Sequence, residues 1–546
     1  MLTEVSFKSN VVAGPKHFVF GIAFATLMVG APQIGTAQTV SASSGRPDFA
    51  PAMIEHAQKM RRYKDFDRGV ERIPHIIERF SVDRDPKGAI ASFQPNGPTF
   101  TANNAFFKDI GTNGRSCFTC HRPENAWSVS ANDVAERFEK SAGTDPIFRL
   151  VDGATCPSDD VSTLRARRRA YKLLTEKGLI RVGLAVPAAG EFVVTAIDDP
   201  YNCSTKPETG SGVLSMYRRP MPTTNIGFLS AIMWDGREPA LESQAVAATL
   251  VHAQAKNVPT PEQVAQIVAF QKGIFTAQIF DNRAKFLTGD NARGGPVALS
   301  SQEFYIGIND PLGLNPKGIP FTPEIFDLYR PWLSAGQRHD HDGLGTPMAN
   351  VSELFRTVNV MDDWRHNDHA RSMVNEHRRS VARGEELFNK TRINITGVSG
   401  LNDELKVDSI PGFCGTCHDS PNVGNHSVKA PLNIGVPDAG DKKPPALDIS
   451  GLPVFTLKCT NVPDGDPLKN KVYKVTDPGR AMISGKCKDI GRFKGPILRG
   501  LAARAPYFHN GSAATLREVV HFYDQRFGLG FSRKEKTDLV NFLNTL

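Results

Sequence analysis

Two pentapeptides carry the plainest chemistry in the chain, Cys117-Phe118-Thr119-Cys120-His121 and Cys414-Gly415-Thr416-Cys417-His418. Each sets two thiols with two residues between them and an imidazole directly after the second. Thiols at that spacing reach the two vinyl groups of one porphyrin as thioethers, and the following His then falls under the iron as an axial ligand. A zinc knuckle needs four N or S ligands closed around the metal, and neither pentapeptide has a second Cys pair or a close His pair to complete one. A dithiol redox catalyst needs neither the His nor a duplicate. Two covalently attached haem c groups are therefore expected, one on Cys117, Cys120 and His121, the other on Cys414, Cys417 and His418.

What faces the other side of each iron decides the chemistry. An open face admits peroxide or dioxygen, whereas a six-coordinate iron mainly passes electrons. After His121 the sequence offers no His or Met until Met216, while the second half holds Met482, His509, His521 and Tyr523.

These residues need elements to position them. Helical spacing runs through residues 52–80, around Met53, Ile54, Met60, Val70 and Ile76, and a Gly/Asn turn at 111–114 leads into the first pentapeptide. Residues 154–222 read as an insertion with a basic helix at 164–177. Trp234-Asp235-Gly236-Arg237 announces a helix at 241–255, a further helix is expected at 260–287, and Gly and Pro make 305–323 a loop. Residues 380–389 open a second unit that reaches its own pentapeptide about 30 residues later, and two short helices, 516–524 and 533–543, close the chain. The order helix, loop, CxxCH thus occurs twice. The fold expected is mainly α, two cytochrome c-like haem domains with long loops and insertions, an N-terminal one over 38–375 and a C-terminal one over 376–546.

The composition is that of an ordinary globular chain, with 40% hydrophobic and 22% charged residues. A net charge of +8 is mild for 546 residues and no Lys/Arg block forms a nucleic-acid track, so the balance speaks only for a slight preference for an acidic partner. Lys8, Lys16 and His17, then an apolar run over 18–31, then Gly35-Thr36-Ala37, have the layout of a secretory signal over 1–37 cleaved near Ala37. The mature protein is then expected in the periplasm. Export agrees with the even set of remaining cysteines, whose simplest pairing is Cys156 with Cys203 and Cys459 with Cys487. The loop His339-Asp340-His341-Asp342 and the pair His366, His369 read as solvated residues and not as a metal site.

Taken together, the motifs resemble the bacterial di-haem cytochrome c peroxidases and their relative MauG, which oxidises a protein substrate. The resemblance runs over 111–124, over 222–254 and from Arg383 to the end. Its most specific stretch is Phe493-Lys494-Gly495-Pro496-Ile497-Leu498-Arg499, continued by Ala505-Pro506-Tyr507-Phe508-His509-Asn510-Gly511-Ser512 and Thr515-Leu516-Arg517-Glu518-Val519-Val520. Rubber oxygenases of the RoxA type are more distant members of the same superfamily.

The resemblance implies that the His121 haem is the peroxidatic one, reacting with hydrogen peroxide or dioxygen, and that the His418 haem receives electrons. It places Trp234 between the haems and Tyr523 as the second ligand of the C-terminal iron, where the simple peroxidases have Met and MauG has Tyr. Peroxidases carry a Gln, a Pro and a proton-transferring Glu after the Trp-Asp-Gly motif; here these positions hold Gln244, Ala248 and, counted without gaps, Gln254. An amide cannot shuttle a proton at neutral pH. His252 is a substitute base, although positions two apart on a helix cannot both face one iron, since successive residues turn by about 100°. A calcium site is left open, because Pro220 stands where the family has an Asn, while carbonyls near Arg504 and Pro506 remain. The partners implied are a small oxidant and a periplasmic electron-transfer protein or protein substrate, with a homodimer the common state. The alternatives are a pure di-haem electron-transfer protein and a RoxA-like oxygenase.

Overall fold

Residues 260–287 show why the mainly α expectation fails. Thr260 caps a helix there through its hydroxyl on the Gln263 amide, with Pro261 in the first turn, but the helix ends at Gly273 and the chain continues as the strand Phe275–Asp281. Six of that strand's seven residues are buried, so it shows no alternation of polar and apolar positions by which a strand is usually read. The same holds for Val213–Arg218. The computed structural model describes residues 73–335 and 367–546, which are 31% helical and 17% strand, with several sheets. The fold is mixed α/β and not mainly α.

Two sheets matter for the site. A four-stranded antiparallel sheet orders Phe80–Asp85, Gly88–Phe93, Phe275–Asp281 and Lys285–Phe286. A three-stranded one orders Val472–Val475, Val454–Cys459 and Phe192–Asp198, so the insertion that follows the first pentapeptide pairs with a segment that follows the second. Disulfides Cys156–Cys203 and Cys459–Cys487 tie these regions, as the even cysteine count suggested.

The second pentapeptide is held by helices. Asn367 caps Asp368–Lys390 at the Ala370 amide, and that helix packs on the C-terminal helix Arg533–Leu543. Their approach is close enough that a Cβ on Gly384 would lie 2.1 Å from the Asp538 carbonyl oxygen, which explains the glycine in Arg383-Gly384-Glu385. Phe326, Tyr329, Trp332, Phe388 and Phe542 fill the core beside this pair.

Other expectations meet the structure as follows. Residues 164–177 form two short helices, Leu164–Ala170 and Lys172–Lys177. Ile76–Ile77 and Phe80–Asp85 are strands and not the end of a helix. Position 375 lies inside Asp368–Lys390, and the described residues fall in one compact unit. The expected signal 1–37, the helix at 52–72, the His339 to Asp342 loop and His366 lie outside the described residues. Among the described residues no helix is long and apolar enough to cross a membrane, and no cluster of three or more His, Cys, Asp or Glu could hold a metal.

Candidate active site

Each pentapeptide folds as one tight turn stapled by its own threonine. In the first, Cys117–Thr119 is a single 3-10 turn; the Ser116 amide donates to Thr119 Oγ1 at 3.1 Å and the His121 amide to the Cys117 carbonyl at 3.1 Å. In the second, the Phe413 amide donates to Thr416 Oγ1 at 2.9 Å and the His418 amide to the Cys414 carbonyl at 3.1 Å. Each His then anchors Nδ1 on a carbonyl six residues on, His121 on Trp127 and His418 on Gly424, both at 2.9 Å. Each also has a Phe ring centroid 6.2 Å from its own, Phe106 and Phe388. With Nδ1 donating to a carbonyl, Nε2 is the nitrogen left for a metal. Burial holds both imidazoles neutral, with values lowered to about 4, and pushes the Cys117, Cys414 and Cys417 thiols up to about 12. None of the four pentapeptide cysteines is in a disulfide.

Both turns open onto a cavity, and the charged groups around the second one test whether haem fits. Arg219, Lys494 and Arg504 line it, and no carboxylate among the described residues pairs with any of them. The Arg219 guanidinium donates only to the carbonyls of Val129, Lys177, Gly178 and Arg504, and Arg504 Nε is buried without a partner. Burial lowers Lys494 to about 7 and, with the neighbouring Arg504 charge, Arg219 to about 9. Uncompensated buried cations are costly and call for an anion. Haem propionates answer that need, and the residues present fit the group.

Trp234 stands where the two cavities meet, lining both. Its indole Nε1 donates to the Arg219 carbonyl at 2.8 Å, and its own carbonyl accepts the Lys494 amide at 2.7 Å. The next residue, Asp235, is fully buried and bonds Arg218 at 2.5 Å and Arg237 at 2.8 Å; Arg218 in turn forks onto Asp477 at 2.7 and 3.0 Å. The Trp-Asp-Gly motif is thus bolted to a segment of the second half through one buried guanidinium.

The helix Leu241–Val251 presents Gln244, Ala248 and, just past its end, His252 to the first cavity. Here the ungapped count breaks down. The helix stops at Val251 and Gln254 takes a left-handed φ of 52°, which turns its side chain outward; it is exposed, accepts from Asn113 at 3.2 Å and does not line the cavity. His252 does line it, with Nδ1 2.5 Å from Asp152 Oδ2, and Asp152 Oδ1 meets Arg115 at 2.6 Å. Burial raises the Asp152 carboxyl, but Arg115 and His252 outweigh it and hold the group below its ordinary range. Sequence reasoning missed Asp152 and Arg115, and also Met221 and Met233, which line the same cavity.

Residues 106–286 match the di-haem cytochrome c peroxidase family, and residues 492–528 match the RoxA-like, cytochrome c-like family. A cytochrome-c peroxidase of Denitromonas iodatirespirans is 37% identical over 155 residues, 27% of this chain and 40% of that protein. The cytochrome c551 peroxidase of Nitrosomonas europaea is 37% identical over 157 residues, again 27% of this chain and 37% of the relative. The chain therefore spans about two fifths of these relatives' length. The crystal structure of a MauG-like protein associated with microbial copper homeostasis aligns over 82% of this chain and 87% of that one at 16% identity, with a TM-score of 0.29, too low to add to the fold.

Around the second pentapeptide the candidates for a second iron ligand separate. Tyr523, on the helix Leu516–Phe527, and His509 both line the second cavity. Met482 is buried in another cluster, beside Cys459 and Cys487, and neither it nor His521 lines the cavity. Burial, with Cys417 and Cys414 nearby, pushes the Tyr523 phenol up, so it stays protonated unless a cation faces it. His509 stacks on Phe493 at 3.8 Å and leaves Nε2 buried without a partner.

Proposed function

We propose that this chain is an exported di-haem c-type oxidoreductase of the cytochrome c peroxidase/MauG type. Hydrogen peroxide or dioxygen is activated in the His121 cavity, and electrons or oxidising equivalents pass to and from the His418 cavity through Trp234. The observation that carries this reading is the indole of Trp234, shared by both cavities and clamped at its Nε1 and its carbonyl. Bound haem supplies the redox-active iron at each site. The chain's own residues do the rest. His121 and His418 offer Nε2 to the iron, Gln244 donates and accepts hydrogen bonds in the first cavity, and Arg219, Lys494 and Arg504 neutralise carboxylates around the second.

Tyr523 is the proposed second ligand of the C-terminal iron; a phenolate there stabilises the oxidised state and suits storage of oxidising power. A calcium ion near the Arg504 and Pro506 carbonyls belongs to the same proposal, the Arg504 carbonyl also accepting from the buried Arg219 guanidinium. The two disulfides support a periplasmic location, where such bonds persist. The partner is an electron-transfer protein or a protein substrate of that compartment, and a homodimer is the expected state. Met221 and Met233 favour a second reading, because a thioether on the first iron would make both haems six-coordinate carriers of electrons.

Electron paramagnetic resonance of the oxidised holoprotein separates the two. A high-spin signal that peroxide converts, with slower exchange between the haems in Trp234→Phe, is the expected result. Two low-spin signals that peroxide leaves unchanged after partial reduction would refute the enzyme.

A further inference from the structure

We propose that His252 and Asp152 form a proton-transfer dyad in the first cavity, His252 moving the proton and Asp152 positioning it. This deepens the reading of that cavity as an oxidant site and rests on it.

Among the described residues lining the cavity, Asp152 is the one carboxylate and His252 the one imidazole apart from His121. Both oxygens of Asp152 are engaged, Oδ1 by Arg115 at 2.6 Å and Oδ2 by His252 Nδ1 at 2.5 Å. Its side chain is 5% exposed, so the carboxylate is committed to holding its neighbours and not to meeting a substrate. Beside an ionised carboxylate, the imidazole proton belongs on Nδ1, and Nε2 is left as an acceptor. The base is also fixed along the backbone. Asn113 Nδ2 donates to the His252 carbonyl at 2.8 Å and Arg115 at 3.2 Å, while the Thr112 amide donates to the Ala253 carbonyl at 3.0 Å. This clasp, residues 111–115, runs directly into Cys117, so the segment that would attach the haem also fixes the backbone that carries the base. The charged and titratable groups that face His252 are Asp152, Arg115 and, more distantly, His121.

The step balances as follows. His252 Nε2 takes a proton from one oxygen of hydrogen peroxide and delivers it to the other, which leaves as water when the O–O bond breaks and takes the bonding pair. Two electrons, supplied one at a time by a reduced electron-transfer protein by way of the haems, and two solvent protons convert the remaining oxygen to a second water. The sum is one peroxide, two electrons and two protons to two waters.

The test uses the holoprotein and two readouts, peroxide turnover and the association rate of hydrogen cyanide with the ferric protein, since cyanide must shed its proton to a base as it binds. His252→Ala is expected to lower kcat by roughly 10²- to 10⁴-fold with a smaller change in KM, and to slow cyanide association at least about tenfold. Asp152→Asn, which removes the charge that fixes the tautomer, is expected to give a partial loss and to shift the pH profile of cyanide association. His252→Glu should recover part of both rates, and Gln254→Glu neither gains nor loses. Haem content and the reduced optical spectrum report folding for each variant. If correctly loaded His252→Ala and Asp152→Asn keep both rates within about twofold of the parent, the dyad is wrong. If the parent protein neither turns over peroxide nor binds cyanide, the oxidant-site reading falls instead.

Discussion

Asp477→Asn tests how the two halves are joined. Asp477 accepts both prongs of Arg218, at 2.7 and 3.0 Å, with side-chain exposures of 1% and 3%. Arg218 shares its other carboxylate, Asp235, with Arg237. The parent cluster holds two guanidinium groups and two carboxylates; the variant holds two against one, with nothing changed in shape. Removing one partner of a buried pair costs about 3–5 kcal/mol, because the remaining charge is left uncompensated. At about 1.4 kcal/mol per decade this raises the population opened at the seam by roughly 10²- to 10⁴-fold. Hydrogen exchange read by mass spectrometry on the peptides around 213–218 and 472–479 measures it directly. The double variant Arg218→Met with Asp477→Leu leaves Asp235 and Arg237 paired and should regain most of the protection, since apolar replacement of a whole buried pair is often neutral. Asp477→Asn with protection within about threefold of the parent would refute the claim that this charge cluster holds the Trp234 turn to the second half.

Two further outcomes are expected. Tyr523→Phe should alter the low-spin resonance and raise the potential of the C-terminal haem; an unchanged spectrum would remove Tyr523 as the ligand. Gly111→Ala should cut peroxide turnover by about 10²-fold with haem attachment intact, because its Cβ would lie 1.9 Å from the Ala253 carbonyl oxygen, and a displacement near 1 Å costs about that much; turnover at the parental level would show that the clasp does not set the position of His252.

What could be read from the sequence was what is local. A CxxCH pentapeptide contains its own attachment and ligation chemistry, and the disulfide pairs lie 47 and 28 residues apart within single stretches. The strands were hidden because Phe275–Asp281 and Val213–Arg218 are buried on both faces and lose the period of two. Gln254 was placed by counting along a helix that in fact ends at Val251, and a single left-handed residue was enough to send it outward. Asp152 gave almost no signal. It is one acid between Val151 and Gly153, and its meaning depends on a fold that brings it to a histidine 100 residues away.

The two sites share one attachment design, from the threonine staple to the Phe ring at 6.2 Å, so any difference in their chemistry must come from what else lines each cavity. In the first, a carboxylate anchored by Arg115 is hydrogen-bonded to an imidazole. The second also has a His and an Asp near each other, His426 and Asp419, with Nδ1 and Oδ2 3.2 Å apart, but neither atom is in hydrogen-bonding geometry, and Asp419 directly follows the proximal His418. Around the rest of that cavity stand Phe413, Phe493, Tyr507, Phe508 and Phe527, groups that exclude water and favour electron transfer over proton transfer. The asymmetry sets a direction. On the proposed reading protons are handled beside His121 and electrons are held beside His418, and Trp234 lines both cavities together with Arg219 and Pro220.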